Sequence, residues 1–157
     1  MFHLGIIFLV TYLVGSINFG LILGYLQGLD LRSQGSGNAG ATNALRILGI
    51  RSGIFVFVGD AFKGYFSLYL CNLVLVQQEN LLFLPSDYLF LSLIFSLIGH
   101  CYPIWFNFRG GKGAATALGA FLFIDPYFVF FPMIGFLIVF LCSRFVGLST
   151  ISAFLIL

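Results

Sequence analysis

Charge is scarce in this chain. Only 12 of its 157 residues are formally charged, seven Lys or Arg and five Asp or Glu, whereas a soluble domain carries about 25% charged residues. Twelve charges cannot cover a soluble surface of this length, and with 61% of residues drawn from AVILMFWYC there is little else polar to help them. The balance excludes an ordinary cytosolic domain, a disordered chain and a nucleic-acid binder that relies on a basic surface. Cysteine is sparse too. Cys71, Cys101 and Cys142 stand in apolar runs without CxxC spacing, which favours small buried hydrophobes over a metal site or a disulfide. The first apolar stretch, Met1 to Leu26, lacks a basic n-region and a small-residue cleavage site, so it is expected to be a retained helix and not a removed signal. No repeat of fixed period and no low-complexity linker divides the chain, so residues 1–157 are expected to form a single transmembrane domain.

What the chain has is apolar length, with a mean hydropathy of +1.10 and 21 Phe. Five apolar stretches can be drawn, at about residues 3–26, 52–76, 87–106, 114–124 and 127–143, and a sixth begins near Ser149 and is cut off at Leu157. About 20 helical residues cross a hydrocarbon core roughly 30 Å thick. The expected fold class is therefore all-α: a polytopic transmembrane helix bundle of five helices and a truncated sixth. Pro126 is placed to open the fifth helix, and Pro132 is expected to kink it. Arg32, Arg46, Arg51, Arg109, Lys112 and Arg144 all fall on one side of this alternating path, while Glu79, Asp87 and Asp125 fall on the other. By the lysine and arginine bias the basic side is cytoplasmic and the amino terminus lies outside.

Two polar islands interrupt the apolar pattern. In the first, Gly35, Gly37 and Gly40 permit positive φ and could converge backbone N–H groups into an anion nest. Ser36, Asn38, Thr42 and Asn43 add neutral donors, and Arg46 adds a guanidinium fork suited to phosphate. Thr42 or Asn38 is a candidate cap for a helix through Arg46. The second island, Arg109-Gly110-Gly111-Lys112-Gly113-Ala114-Ala115-Thr116, lacks the spacing of a nucleotide P-loop, which removes ATP hydrolysis. Glycine amides at a helix mouth beside a lysine still make a phosphate or carboxylate seat. Each island also has a plainer reading, as a turn or as a basic loop that lets helices pack closely.

Fewer single residues carry chemistry. Asp60 and Lys63 lie three apart on one helix and must face the bundle interior, as a structural ion pair, a substrate ligand or both. His100 ends the third stretch before Pro103 and is either a proton carrier or a hydrogen-bonded helix-end residue. His3 sits near the outer terminus. Ser16 and Asn18 interrupt the first stretch and are expected to bond across helices. No His/Cys/Asp cluster has metal spacing and no serine sits in a GxSxG elbow, so neither a metal nor an acyl-enzyme nucleophile is indicated.

Taken together, several segments resemble one family, the bacterial acyl-phosphate:glycerol-3-phosphate acyltransferases, integral membrane enzymes of phospholipid synthesis. They are Gly15-Ser16-Ile17, the run Gly35 to Asn43 followed by Arg46 and Gly49, Gly59-Asp60 with Lys63-Gly64, Gly99-His100 with Pro103, Gly110-Gly111-Lys112-Gly113, and Arg144-Phe145-Val146 leading to Ser149. The resemblance implies a seven-helix bundle in the full-length family, in the bacterial cytoplasmic membrane, with the site at the cytosolic face. It implies transfer of an acyl chain from acyl phosphate to the 1-hydroxyl of sn-glycerol 3-phosphate, without cofactor, acyl-carrier protein or coenzyme A. Ser36, Asn38, Arg46 and Lys112 would then act around phosphate groups, with His100 as a candidate base. Gly35, Gly37, Gly40, Thr42, Asn43, Asp60, Lys63, Arg109, Gly110, Gly111 and Gly113 would complete the binding site.

Two departures from the family pattern stand out. Arg109 occupies a position where the family usually has Lys. Family members also continue some tens of residues past the equivalent of Leu157, through a segment with a His and an Asn, so the acyltransferase domain is expected to be incomplete at its carboxyl end. A membrane transporter of a phosphate ester or lipid head group, or a non-catalytic truncated remnant, are the alternative readings.

Overall fold

The structure, a computed structural model, describes residues 2–75 and 85–157, with side chains described from residue 5 onward. Glu79 and the side chain of His3 lie outside the described residues. These form eight α-helical segments: α1 (Phe2–Gly15), α2 (Phe19–Leu26), α3 (Ala41–Leu48), α4 (Ile50–Leu75), α5 (Pro85–Cys101), α6 (Ala114–Ile124), α7 (Tyr127–Ser143) and α8 (Val146–Ile156). Short 3-10 turns cover Leu31–Ser33 and Ile104–Phe106.

This corrects the expected count of five helices and a truncated sixth. With α1 and α2 taken as one interrupted helix, the described residues hold seven helices. Among the described residues, three stretches, Gly5–Leu26, Ile50–Leu75 and Pro85–Phe106, are long and apolar enough to cross a membrane by length and composition. The reason is geometric. Hydropathy registers an apolar run whatever its length, yet 11 residues of α6 or α8 rise only about 16 Å at 1.5 Å per residue, roughly half a hydrocarbon core. It also passes over α3, whose apolar residues occupy one face only.

The chain divides into two compact units, Met1–Ala120 and Phe121–Leu157. In the first, α1, α4 and α5 pack on one another through small residues. A Cβ on Gly15 would meet the Ser96 carbonyl, one on Gly99 the Tyr12 carbonyl, and one on Gly64 the Thr116 carbonyl. Ser96 Oγ donates to Ser67 Oγ across α5 and α4 at 3.2 Å. The burial is inverted relative to a water-soluble protein: Thr11, Ser16, Asn18, Ser67, Ser92 and Ser96 are buried, while Phe55, Phe57, Phe62 and Phe90 are exposed. Lipid makes that arrangement stable, because the apolar exterior meets hydrocarbon while hydroxyls such as those of Thr11, Ser16, Ser67 and Ser96 bond internally.

Gly64 gives a test of this close packing. Its neighbour is a backbone carbonyl that cannot rotate away, so Gly64→Ala overpacks the α4–α6 contact and should cost about 1 to 3 kcal/mol. Gly5→Ala has nothing within 4 Å to meet and should leave the thermal midpoint in detergent unchanged or slightly raised, since alanine favours helix. Equal midpoints for the two variants would contradict the packing.

In the second unit α7 and α8 pack together, with Gly135 against Ile156 and Arg144 turning the chain between them at φ 54°. Pro126 stands at the N-cap of α7 as expected, and the helix runs continuously through Pro132. Of the cysteines, Cys71 is buried, Cys101 half-buried and Cys142 exposed, and all three are free.

Candidate active site

The first unit begins its functional geometry at a break in a helix. Ser16 Oγ donates to the Tyr12 carbonyl at 2.8 Å, and α2 restarts with the Asn18 side chain accepting from Leu21 N at 3.0 Å. The Ile17 carbonyl is thereby left without a helical partner, and Lys63 Nζ of α4 donates to it at 2.6 Å. Lys63 also pairs with Asp60 Oδ1 at 2.8 Å, and both side chains are almost wholly buried, at 2% and 1% exposure. The Asp60/Lys63 pair thus faces the interior and pins α4 to the α1–α2 break.

His100 completes this cluster. Its Nδ1 lies 3.2 Å from Thr116 Oγ1 and 3.7 Å from Asp60 Oδ1, and its imidazole lies directly under Gly111, where any Cβ would overlap Nε2. The His100 carbonyl accepts from Gly111 N at 3.2 Å and that of Cys101 from Gly110 N at 3.0 Å. The second glycine-rich segment therefore folds back over the end of α5. Its Gly110 and Gly111 amides are committed to these carbonyls, and Gly113 enters α6 at φ 79°. The amides beginning α6, from Ala114 onward, are the ones a helix leaves without intrahelical acceptors, and exposed Lys112 precedes them.

The first segment is organised from within by Asn43. Its Oδ1 accepts from Ser36 N at 2.9 Å, and its Nδ2 donates to the Leu31 and Gln34 carbonyls, each at 3.0 Å. Leu31, Ala44 and Val56 form a buried cluster beneath. Gly35 and Gly37 adopt positive φ, at 59° and 70°. Gly40 does not; it is the N-cap of α3 at φ −85°, with no side-chain cap bond, so neither Thr42 nor Asn38 caps that helix. Ser36 and Thr42 are exposed, Asn38 is half-buried, and Arg46 is exposed on the last turn of α3. The Ser36 amide is bonded to Asn43 and the Gly37 amide to the Gln34 carbonyl, so these two amides do not form the expected anion nest.

A residue read from sequence only as a topology signal joins the two segments. Arg32 Nε donates to both Asp30 oxygens, at 3.0 and 3.1 Å, and Nη2 donates to Asp30 Oδ2 at 2.8 Å and to the Tyr25 hydroxyl. Its Nη1 reaches the Phe106 carbonyl at 2.9 Å and the Arg109 carbonyl at 3.2 Å. Hydrogen bonds from Arg32 hold the Asp30 carboxyl below its ordinary value, and the same pair raises Arg32. For a lowered carboxyl the stabilisation is present through the neutral range and is lost as acid protonates it in the folded state. The segment that Arg32 grips contains Asn107 and Phe108 at φ 56° and 55°, a left-handed pair that costs about 1 to 3 kcal/mol per residue and persists only when its surroundings enforce it. Asp30, Arg32, Ser33, Asn107 and Arg109 line an open cavity of 560 Å³, and the Arg109 side chain is exposed beside it.

The model of the family described as glycerol-3-phosphate acyltransferase matches residues 5–157. The glycerol-3-phosphate acyltransferase of Aquifex aeolicus (strain VF5) is 43% identical over 151 residues, covering 94% of this chain and 75% of the relative. That of Ehrlichia canis (strain Jake) is 42% identical over 146 residues, covering 92% and 72%. Among solved structures, the crystal structure of PlsY (YgiH), an integral membrane glycerol 3-phosphate acyltransferase in its glycerol 3-phosphate form, matches at a TM-score of 0.86 and 38% identity, over 98% of this chain and 75% of that one. Its lysophosphatidic acid form matches at 0.82 and 36%, over 96% and 71%. With the match extending through both glycine-rich segments, the buried Asp60/Lys63 pair and α8, this chain belongs to the glycerol-3-phosphate acyltransferase family.

Proposed function

We propose that this multi-pass membrane acyltransferase moves an acyl chain from acyl phosphate to the 1-hydroxyl of sn-glycerol 3-phosphate, giving lysophosphatidic acid and phosphate. The observation that carries the reading is the bridge from Arg32 to the Phe106 and Arg109 carbonyls, which ties together two segments whose outward groups are cations and neutral donors. Both substrates are phosphate esters or anhydrides, and Arg46 and Lys112 supply the charges that such groups need. Ser36 and Asn38 add neutral donors, while Asn43, Asp60 and Lys63 support the frame that holds these groups.

An acyl phosphate already carries a good leaving group, so the tasks left to the protein are alignment and charge neutralisation. The glycerol hydroxyl oxygen bonds to the acyl carbon, the bond from that carbon to the phosphate oxygen breaks, and phosphate leaves with the electron pair. We assign the hydroxyl proton to an oxygen of the substrate's own phosphate. His100 is 2% exposed and enclosed by Thr116, Asp60 and Gly111, which suits it to holding the loop. Neither acyl-carrier protein nor coenzyme A is needed, because the donor is activated by its own phosphate.

The basic side of the chain is assigned to the cytosol and the amino terminus to the outside. Two measurements test the reading. Protein in lipid nanodiscs given glycerol 3-phosphate should form lysophosphatidic acid from palmitoyl phosphate and none from palmitoyl coenzyme A; the reverse preference would contradict the donor. In a Cys142→Ser background, Asn38→Cys should react with an impermeant thiol reagent only after the cell membrane is opened. Labelling in intact cells would overturn the orientation.

A further inference from the structure

We propose that Arg32 is a positioning residue for acyl transfer, holding the segment before Lys112 in register with the segment that carries Ser36 and Arg46 while touching neither substrate. The inference rests on the acyltransferase reading. Its basis is a division of labour within one guanidinium. One edge, Nε with Nη2, is occupied by Asp30, which fixes the plane of the fork. The remaining nitrogen, Nη1, is left to bind two carbonyls 74 and 77 residues away in sequence. The base of the fork is packed and bonded as well: Leu31 is fully buried, Asp30 Oδ1 accepts from Arg32 N at 2.9 Å, and the Tyr25 ring lies over Phe106 with centroids 6.0 Å apart.

The gripped segment needs such a tether. At its far end, Gly110 and Gly111 are anchored on the Cys101 and His100 carbonyls. At its near end the chain must hold Asn107 and Phe108 in left-handed backbone, a conformation that relaxes when external bonds are removed. Lys112 follows directly. Without Arg32, the position of Lys112 relative to Ser36 and Arg46 is no longer set by a bond between the segments. A lysine cannot replace the arginine, because one ammonium cannot present a planar fork to Asp30 and two carbonyls together.

The test uses the intact chain in nanodiscs with palmitoyl phosphate and glycerol 3-phosphate. Arg32→Ala and Arg32→Lys should each lower kcat by about 10-fold to 100-fold when assayed well below their own thermal midpoints, where the protein is folded. Added guanidinium, at concentrations that leave the parent unaffected, should restore part of the Arg32→Ala rate. Asp30→Asn should give a smaller fall in kcat. Hydrogen exchange should quicken at the amides of Phe108, Arg109, Gly110 and Gly111 in Arg32→Ala. The inference is overturned if Arg32→Lys matches the parent in kcat, or if Arg32→Ala loses activity only in proportion to unfolded protein and guanidinium restores none. If Arg32→Ala does not fold, Asp30→Asn at the parent kcat overturns it. A parent that makes no lysophosphatidic acid would instead remove the acyltransferase reading; unchanged exchange at those four amides would remove the tether whatever the activity.

Discussion

Replacing Lys112 or Arg46 by alanine is expected to lower kcat/KM by roughly 30-fold to 1000-fold, equivalent to about 2 to 4 kcal/mol of lost transition-state stabilisation. Each side chain is exposed, so its removal strands no buried partner and should leave the thermal midpoint unchanged. The cost falls on the reaction because phosphate oxygens gain charge as the bond to the acyl carbon breaks, and a cation fixed nearby stabilises them without solvent reorganisation. Ser36→Ala should cost less, since a neutral hydroxyl makes a weaker bond to an anion than a charged donor. Steady-state kinetics that found both alanine variants near the parent kcat/KM would remove the phosphate role assigned to them.

The largest expected loss of stability lies in the buried pair. Asp60→Asn or Lys63→Met alone leaves one charge uncompensated among side chains only 1% to 2% exposed, a change that costs about 3 to 5 kcal/mol. For a chain of this size the thermal midpoint should fall by about 6 to 20 °C. The double variant Asp60→Asn/Lys63→Met leaves no unpaired charge and should recover part of the loss. Recovery stays incomplete because Lys63 Nζ also satisfies the Ile17 carbonyl. A thiol-reactive dye reporting exposure of buried Cys71, in a Cys142→Ser background, measures all three variants. A double variant no better than the worse single one would show that the pair does not act as a charge couple.

The legible parts of the fold are those written in local composition. The stretches at 114–124 and 127–143 coincide with α6 and α7, since Gly113 and Asp125-Pro126 bound the first apolar run and Pro126 and Arg144 the second. The interior placement of Asp60 and Lys63 also follows from the cost of charge in lipid alone. The helix count did not, because hydropathy cannot separate a crossing stretch from a half-length one and gives no weight to α3. Nor did the break at Ile17: Ser16 and Asn18 are expected from sequence to bond across helices, whereas Ser16 bonds back to Tyr12 and Asn18 caps α2, and the freed carbonyl is met by a lysine 46 residues further along. In the candidate site, Asn38 and Asn43 are the same residue type five positions apart, and only packing distinguishes the half-buried one from the one committed to three backbone groups. Arg32 was hidden for a related reason: its distant partners are carbonyls, which every residue carries, so no side-chain pattern marks them. The Asp30-Leu31-Arg32 spacing just before the glycine run is the one local signal that points to it.

The central claim, attack of the glycerol hydroxyl on the acyl carbon of an acyl phosphate, is tested most directly by following oxygen. Glycerol 3-phosphate carrying oxygen-18 in its 1-hydroxyl is supplied with unlabelled palmitoyl phosphate, and both products are read by mass spectrometry. The account predicts that the label is retained in the ester of lysophosphatidic acid and that the released phosphate is unlabelled. Unlabelled ester, or no lysophosphatidic acid at all, would contradict it.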